Sequence, residues 1–325
     1  MAREVVTGYC WPQSLAAGEQ VGLHLSSAGG RPVRVEVARV GGTRDVVFRD
    51  EAVPADEHAT PPDASSQGCG WPVARTIDTD AAWRSGYYEV VLEIDVGEKV
   101  RREHAFFVVR PTSGDRIVLA LASNTWHAYN DFGGPNLSTG GTQVALKRPM
   151  ARGYLHKPPG KGRRVTGTGS PDPQNAAHVG YLTLNHLSGY AGSAGWPDWE
   201  HPFLAWAERE GFTIGVCTNA DLETHPEVLD GAALYLSVGH DEYWSAGMRD
   251  TVEDFIARGG NAAFFSGNTS LWQVRLEGDD RDVMVGYKGF YKRDPLFDTD
   301  RRAEVTTLWS DVLLERPGNH MTGVS

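Results

Sequence analysis

From residue 5 to about residue 110, apolar and polar positions alternate in short runs. Examples are residues 21–25 (Val-Gly-Leu-His-Leu), 33–37 (Val-Arg-Val-Glu-Val) and 88–94 (Tyr-Glu-Val-Val-Leu-Glu-Ile), with Gly, Pro or Asp between runs. A period of two puts successive side chains on opposite faces, so the runs predict half-buried antiparallel strands. The pattern changes after Asp115, where residues 117–122 (Ile-Val-Leu-Ala-Leu-Ala) are continuously apolar, as in a strand covered on both faces. Alternating units follow: a helix near residues 202–210 closed by Gly211, strands near 212–217 and 233–238, a helix over 245–258, and a strand near 262–265. In the second helix Met248, Val252, Phe255 and Ile256 share one face, Ser245 is placed to cap the start, and Gly259 and Gly260 to end it.

These patterns predict two domains. Residues 1–112 read as an immunoglobulin-like β-sandwich, with residues 83–88 entering one closing strand and 105–109 forming the last before Pro111. Residues 113–325 read as an open α/β parallel sheet of the glutamine-amidotransferase-like or flavodoxin-like kind. A long stretch at 124–200, rich in Gly, Pro, Asn, His and aromatics, is expected to be an ordered cover over that sheet. The last residues, 318–325, break off inside what reads as a continuing strand pattern, so the second domain is expected to be a shortened one.

Ligands of open α/β sheets sit at the carboxyl ends of the strands. Residues 124–129, His240 with Glu242, and Asn268 each follow a predicted strand and offer polar groups to one rim. His240 and Glu242 are two residues apart, so an extended chain points both the same way. That spacing suits a proton carrier beside a metal-binding carboxylate, and it equally suits capping of the next helix. There is no His-x-x-x-His pair or cysteine cluster, which disfavours a His-rich zinc site, whereas tyrosine oxygens are hard donors suited to ferric iron. Cys217 lacks the following glycine of a nucleophile elbow, residues 266–268 (Ser-Gly-Asn) lack the Gly-x-Ser-x-Gly pattern, and no phosphate-binding glycine loop follows a strand. Cys10, Cys69 and Cys217 are an odd set best read as buried free thiols.

Composition narrows the partners. The 325 residues carry 42 acidic against 31 basic side chains, a net charge of −11. That sign repels phosphate backbones and anionic membranes. No secretory leader and no apolar run of roughly 18 residues is evident, so the expectation is a cytoplasmic chain.

Several segments together resemble the large (beta) subunit family of N,N-dimethylformamidase. They are residues 124–130 (Asn-Thr-Trp-His-Ala-Tyr-Asn), 206–212 (Trp-Ala-Glu-Arg-Glu-Gly-Phe), 218–222 (Thr-Asn-Ala-Asp-Leu), 239–245 (Gly-His-Asp-Glu-Tyr-Trp-Ser), 248–250 (Met-Arg-Asp) and 264–268 (Phe-Phe-Ser-Gly-Asn), with Trp272 and Arg275. The resemblance runs over about residues 115–325. It implies hydrolysis of a small amide at a mononuclear non-haem Fe(III) held by two tyrosines and a glutamate. Carried over by position, the ligands are Glu242, Tyr129 and either Tyr154, whose spacing is the more compatible, or Tyr181. His240, Asn268 and Lys288 are the neighbouring catalytic polar groups, with His240 as proton shuttle. The resemblance also implies a homo-oligomer or a small partner subunit. A different reading of the same scaffold is a catalytically weak protein that binds a small molecule or carbohydrate.

Overall fold

The computed structural model describes residues 5–160 and 173–323, and the part of the 124–200 stretch at 161–172 lies outside the described residues. Among the described residues the chain is a mixed α/β protein with four sheets. Its N-terminal strands are β1 (Val6–Trp11), β2 (Ser14–Leu15), β3 (Gln20–Ser27), β4 (Val33–Val40), β5 (Arg44–Val53), β6 (Val73–Asp78), β7 (Gly86–Val96) and β8 (Lys99–Val109). They form a three-stranded sheet, β1-β3-β6, and a five-stranded sheet, β2-β8-β7-β4-β5. Between the two lies a core of Val6, Val21, Leu23, Leu25 and Ile77 against Val35, Val37, Tyr88, Val90, Leu92 and Phe107.

The predicted parallel sheet is present. Strands β9 (Ile117–Leu121), β11 (Gly215–Thr218), β12 (Leu234–His240) and β14 (Asn261–Gly267) pair in the order β11-β9-β12-β14, all parallel. Its apolar run is explained by burial on both faces. Leu119, Leu121, Val216, Leu236 and Val238 enter one core, and the intervening Val118, Ala120, Cys217 and Tyr235 enter another. The helix Ala246–Ala257 covers the second face with Met248, Val252 and Phe255. It starts where expected, because the Ser245 hydroxyl accepts from the Met248 backbone N–H at 3.3 Å. The other helix, Glu200–Arg209, lies on the first face through Leu204 and Ala207.

That first face is also covered by the N-terminal half. Ala38, Val40, Tyr87, Phe106 and Val108 from the five-stranded sheet share its core with Leu119, Val216 and Leu236. Alternation along β4 feeds one core with Val35 and Val37 and the other with Ala38 and Val40. Residues 105–109 are continuously apolar for this reason: alternate side chains of β8 enter different cores.

The stretch at 124–200 contains regular elements among its described residues. It holds the helix Ser123–Tyr129, the strand β10 (Gln143–Ala145) and the helix Pro173–Leu184. Strand β10 joins β16 (Val283–Val285), β15 (Trp272–Glu277) and β13 (Tyr243–Ser245) in a fourth sheet beside the parallel one. Strands β10, β13 and β16 have three residues each, too few for alternation to be recognised along the chain. The three cysteines are free and buried, and burial pushes the Cys69 thiol up to about 12.

Candidate functional site

Three strand ends converge. In the parallel register His240 pairs with Gly267, so His240 and Asn268 leave neighbouring strands side by side. The helix Ser123–Tyr129 starts just after β9, the strand on the other side of β12, and its last residue, Tyr129, reaches the same place. The Tyr129 hydroxyl donates to Glu242 Oε2 at 2.5 Å, and His240 Nε2 lies 3.4 Å from that same oxygen. Asn268 Nδ2 stands 3.3 Å from His240 Nε2. The remaining oxygen of Glu242, Oε1, accepts from Trp272 Nε1 at 3.0 Å. Helix capping is not what Glu242 does, since Ser245 fills that role.

Alternation explains why His240 and Glu242 share a side and Asp241 does not. Asp241 points inward, accepting from Ser237 Oγ at 2.7 Å and from Asn219 Nδ2 at 3.2 Å. Its full burial pushes the carboxyl up to about 6 against those hydrogen bonds. The Glu242 backbone is held as well, its N–H donating to Thr125 Oγ1 at 2.9 Å and its carbonyl accepting from Leu271 and Trp272. Gly239 must be glycine here: its φ is +95°, and a Cβ would come within 2.6 Å of Trp199 Cβ. Asn268 and Lys288 also take left-handed φ values of 53° and 55°, a strain that non-glycine residues accept where the surroundings enforce it.

Charge at the site is set mainly by burial. Burial lowers His240 below the usual histidine range, with Glu242 pulling the other way, so the imidazole is neutral at pH 7. Burial, then the charge and hydrogen bond of Glu242, hold Tyr129 as a neutral phenol. Lys288 is lowered by burial and supported by Glu242. Its ammonium donates to Tyr243 Oη at 2.9 Å and lies 5.1 Å from the Trp272 ring centroid.

Tyr129, Glu242, His240 and Asn268 are thus brought together, with Lys288 one residue away through Tyr243. Tyr154 is placed otherwise. It is fully buried, and its hydroxyl donates to the Tyr129 backbone carbonyl at 2.8 Å, so it stands behind Tyr129 and not beside Glu242. The Tyr181 hydroxyl donates to the Pro158 carbonyl. The phenols that neighbour Tyr129 are Tyr243, edge-on with ring centroids 5.9 Å apart, and Tyr190, stacked at 6.4 Å. Sequence reasoning missed Tyr243, although it lies inside the motif at 239–245, because it weighed only Tyr154 and Tyr181 for the second phenol.

A second cluster was also missed. Ligand-type atoms of Glu89, His104 and His156 lie within 4.8 Å of one another. The disfavouring of a His-rich site rested on local spacing, whereas Glu89 and His104 meet through strand pairing and His156 reaches them from a separate segment.

No helix among the described residues is long and apolar enough to cross a membrane. No protein of curated function matches the chain. Among solved structures, pectate lyase Pel3 from Pectobacterium carotovorum is 14% identical, with a TM-score of 0.19 over 36% of this chain and 36% of that one. A family 123 glycoside hydrolase from Clostridium perfringens is 9% identical, with a TM-score of 0.18 over 38% of this chain and 27% of its own. Both overlaps are partial and too slight to carry an argument. The family described as N,N-dimethylformamidase beta subunit-like, C-terminal, matches residues 34–325, entering within β4 and so reaching well before residue 115, where the motif series was expected to start. The chain belongs to the N,N-dimethylformamidase beta subunit-like, C-terminal family.

Proposed function

We propose that this chain hydrolyses the C–N bond of a small linear amide of the formamide type, at the cluster of Tyr129, His240, Glu242 and Asn268. One observation carries the reading: Tyr129, at the end of the helix that follows β9, and Glu242, just past β12, share a short hydrogen bond beside His240. Numbered within their own sheet, the parallel strands run 2-1-3-4, the order of flavodoxin-like sheets, whose crevice opens between strands 1 and 3. Those are β9 and β12, the two that deliver Tyr129 and Glu242. Tyr88, whose hydroxyl donates to the Arg84 carbonyl at 2.7 Å near the start of the penultimate strand, supports an immunoglobulin-like reading of residues 1–112. Residues 113–325 form the second domain in this reading, cytoplasmic location is part of it, and the family's name supports a partner subunit.

Two donors of the expected iron set fit a hard cation, because the Tyr129 phenol and the Glu242 carboxylate share one proton that a cation can replace. Tyr154 does not reach, so the third donor is left to a neighbouring phenol. When bound there, ferric iron supplies Lewis acidity. His240 takes the proton of the attacking water as the new C–O bond forms, then passes it to nitrogen as the C–N bond breaks. Glu242, 3.4 Å away, holds the imidazole and stabilises its cation. The Asn268 amide donates to the carbonyl oxygen as negative charge builds there. Lys288 keeps a positive charge near Glu242 and holds the Tyr243 hydroxyl in place.

The test is iron content together with dimethylamine release from N,N-dimethylformamide and related small amides. Wild type is expected to hold iron and turn over. Glu242→Gln should lose both with the circular dichroism spectrum unchanged, and His240→Ala should keep the metal while kcat falls about 10²–10⁴-fold. Folded protein that is iron-free and inert towards every small linear amide tried would refute the proposal and leave the binding role.

A further inference from the structure

Strands β7 and β8 pair so that Val91 faces His104 and Glu89 faces Phe106. Glu89 and His104 are therefore diagonal neighbours on one face of the five-stranded sheet, the face that Tyr87, Phe106 and Val108 turn towards the parallel layer. Their side chains are 15% and 11% exposed, and Glu89 Oε1 lies 3.1 Å from His104 Nδ1. That separation falls off the line of a well-formed hydrogen bond, so the buried Nδ1 has no aligned partner. It is close to the edge of a tetrahedron with zinc-type bonds of about 2 Å, roughly 3.3 Å.

The other Glu89 oxygen, Oε2, is taken by Arg44 Nε at 3.0 Å. This fixes the carboxylate and aims Oε1 at His104, the kind of outer support that orients metal ligands. The nearby guanidiniums are occupied, Arg44 also by Glu36 and Arg102 by Glu93. The third residue comes from a distant segment. Met150, Tyr154 and Leu155 pack on the same sheet face and carry His156, whose ring stacks on His104 with centroids 4.5 Å apart. His156 is exposed, and one of its ring nitrogens lies with the ligand atoms of Glu89 and His104 in a group whose members are all within 4.8 Å of one another. The cluster opens into a groove of 680 Å³ that admits an ion and a water ligand.

We propose that Glu89, His104 and His156 form a second metal site, for a borderline divalent cation of the zinc type, that ties the segment around residue 156 to the five-stranded sheet. Two imidazoles and one carboxylate are the donors such ions prefer, with the fourth position left to water. The site is separate from the Tyr129 and Glu242 cluster and does not depend on amide hydrolysis there.

The experiment is calorimetric titration of metal-stripped full-length chain with zinc chloride, in the Glu242→Gln background so that the other site contributes no ligand carboxylate. One equivalent of zinc is expected to bind. His156→Ala, at an exposed position where folding is not at risk, should raise the Kd by about tenfold or more. His104→Gln should do the same, with circular dichroism reporting whether the fold is kept. No zinc uptake, or uptake unchanged by His156→Ala, overturns the proposal.

Discussion

At the scale of single residues, the most informative group outside the reactive cluster is Asp241, between His240 and Glu242 in sequence but turned away from both. Its carboxyl is buried and raised to about 6, against roughly 3.9 for an unfolded chain. A raised folded-state pKa means that the folded chain holds the proton more tightly, so this contribution to stability is complete below about pH 3.9 and is lost as pH rises through about 6. The difference corresponds to about 3 kcal/mol. Asp241→Asn copies the protonated form, so its stability relative to wild type should rise between pH 4.5 and pH 8 in urea unfolding. A difference that stays level over that range would mean the Asp241 charge is compensated by groups other than Ser237 and Asn219. The contrast with His240 is instructive: one residue along the chain separates an imidazole at the site from a fully buried carboxyl beneath it.

At the scale of elements, the site depends on how β12 hands over to the helix Ala246–Ala257. Gly239 lets the chain take a left-handed turn under Trp199, and Ser245 closes the far side by capping the helix. Between these points Asp241, Glu242, Tyr243 and Trp244 are all buried. Ser245→Ala removes one cap and should cost about 1 kcal/mol, read as a lower urea midpoint with an unchanged slope. Gly239→Ala is different in kind. It places a methyl group against Trp199 and forces an unfavourable φ, so it should displace Trp199 from its place over the strand end, seen as a change in tryptophan fluorescence, and impair turnover more than stability.

At the scale of the whole molecule, the two halves share a core, and their junction holds an ion pair between the buried Arg39 and the partly buried Glu208. Arg39 on β4 meets Glu208 on the helix Glu200–Arg209 at 2.5 Å, and the Gly42 N–H donates to the same carboxylate at 2.7 Å. The Ser85 hydroxyl accepts from the Val216 backbone N–H at 2.8 Å across the same boundary. Removing one partner leaves a buried charge, so Glu208→Ala should cost about 3 kcal/mol. The double variant Arg39→Met with Glu208→Leu should recover much of that loss. If the single change proves neutral in urea unfolding, the junction is held by apolar packing alone.

Much of this architecture was legible along the chain. Period-two runs announced the N-terminal sheets, and the continuous run at 117–122 announced a strand covered on both faces. The helix at 245–258 was readable to within a residue because its face, cap and terminating glycines are all local signals. His240 and Glu242 could be singled out by spacing alone, since two steps along an extended chain return a side chain to the same side. What local signals do not carry is contact between distant residues. Whether Tyr154 lies beside Glu242 or behind Tyr129 depends on packing of a segment 88 residues before Glu242. The meeting of Glu89, His104 and His156 depends on strand register and on which side chains the folded segment turns inward. Periodicity and spacing determine which elements form and which residues share a face; only the tertiary fold decides which faces meet, because burial rewards apolar area without specifying its partner.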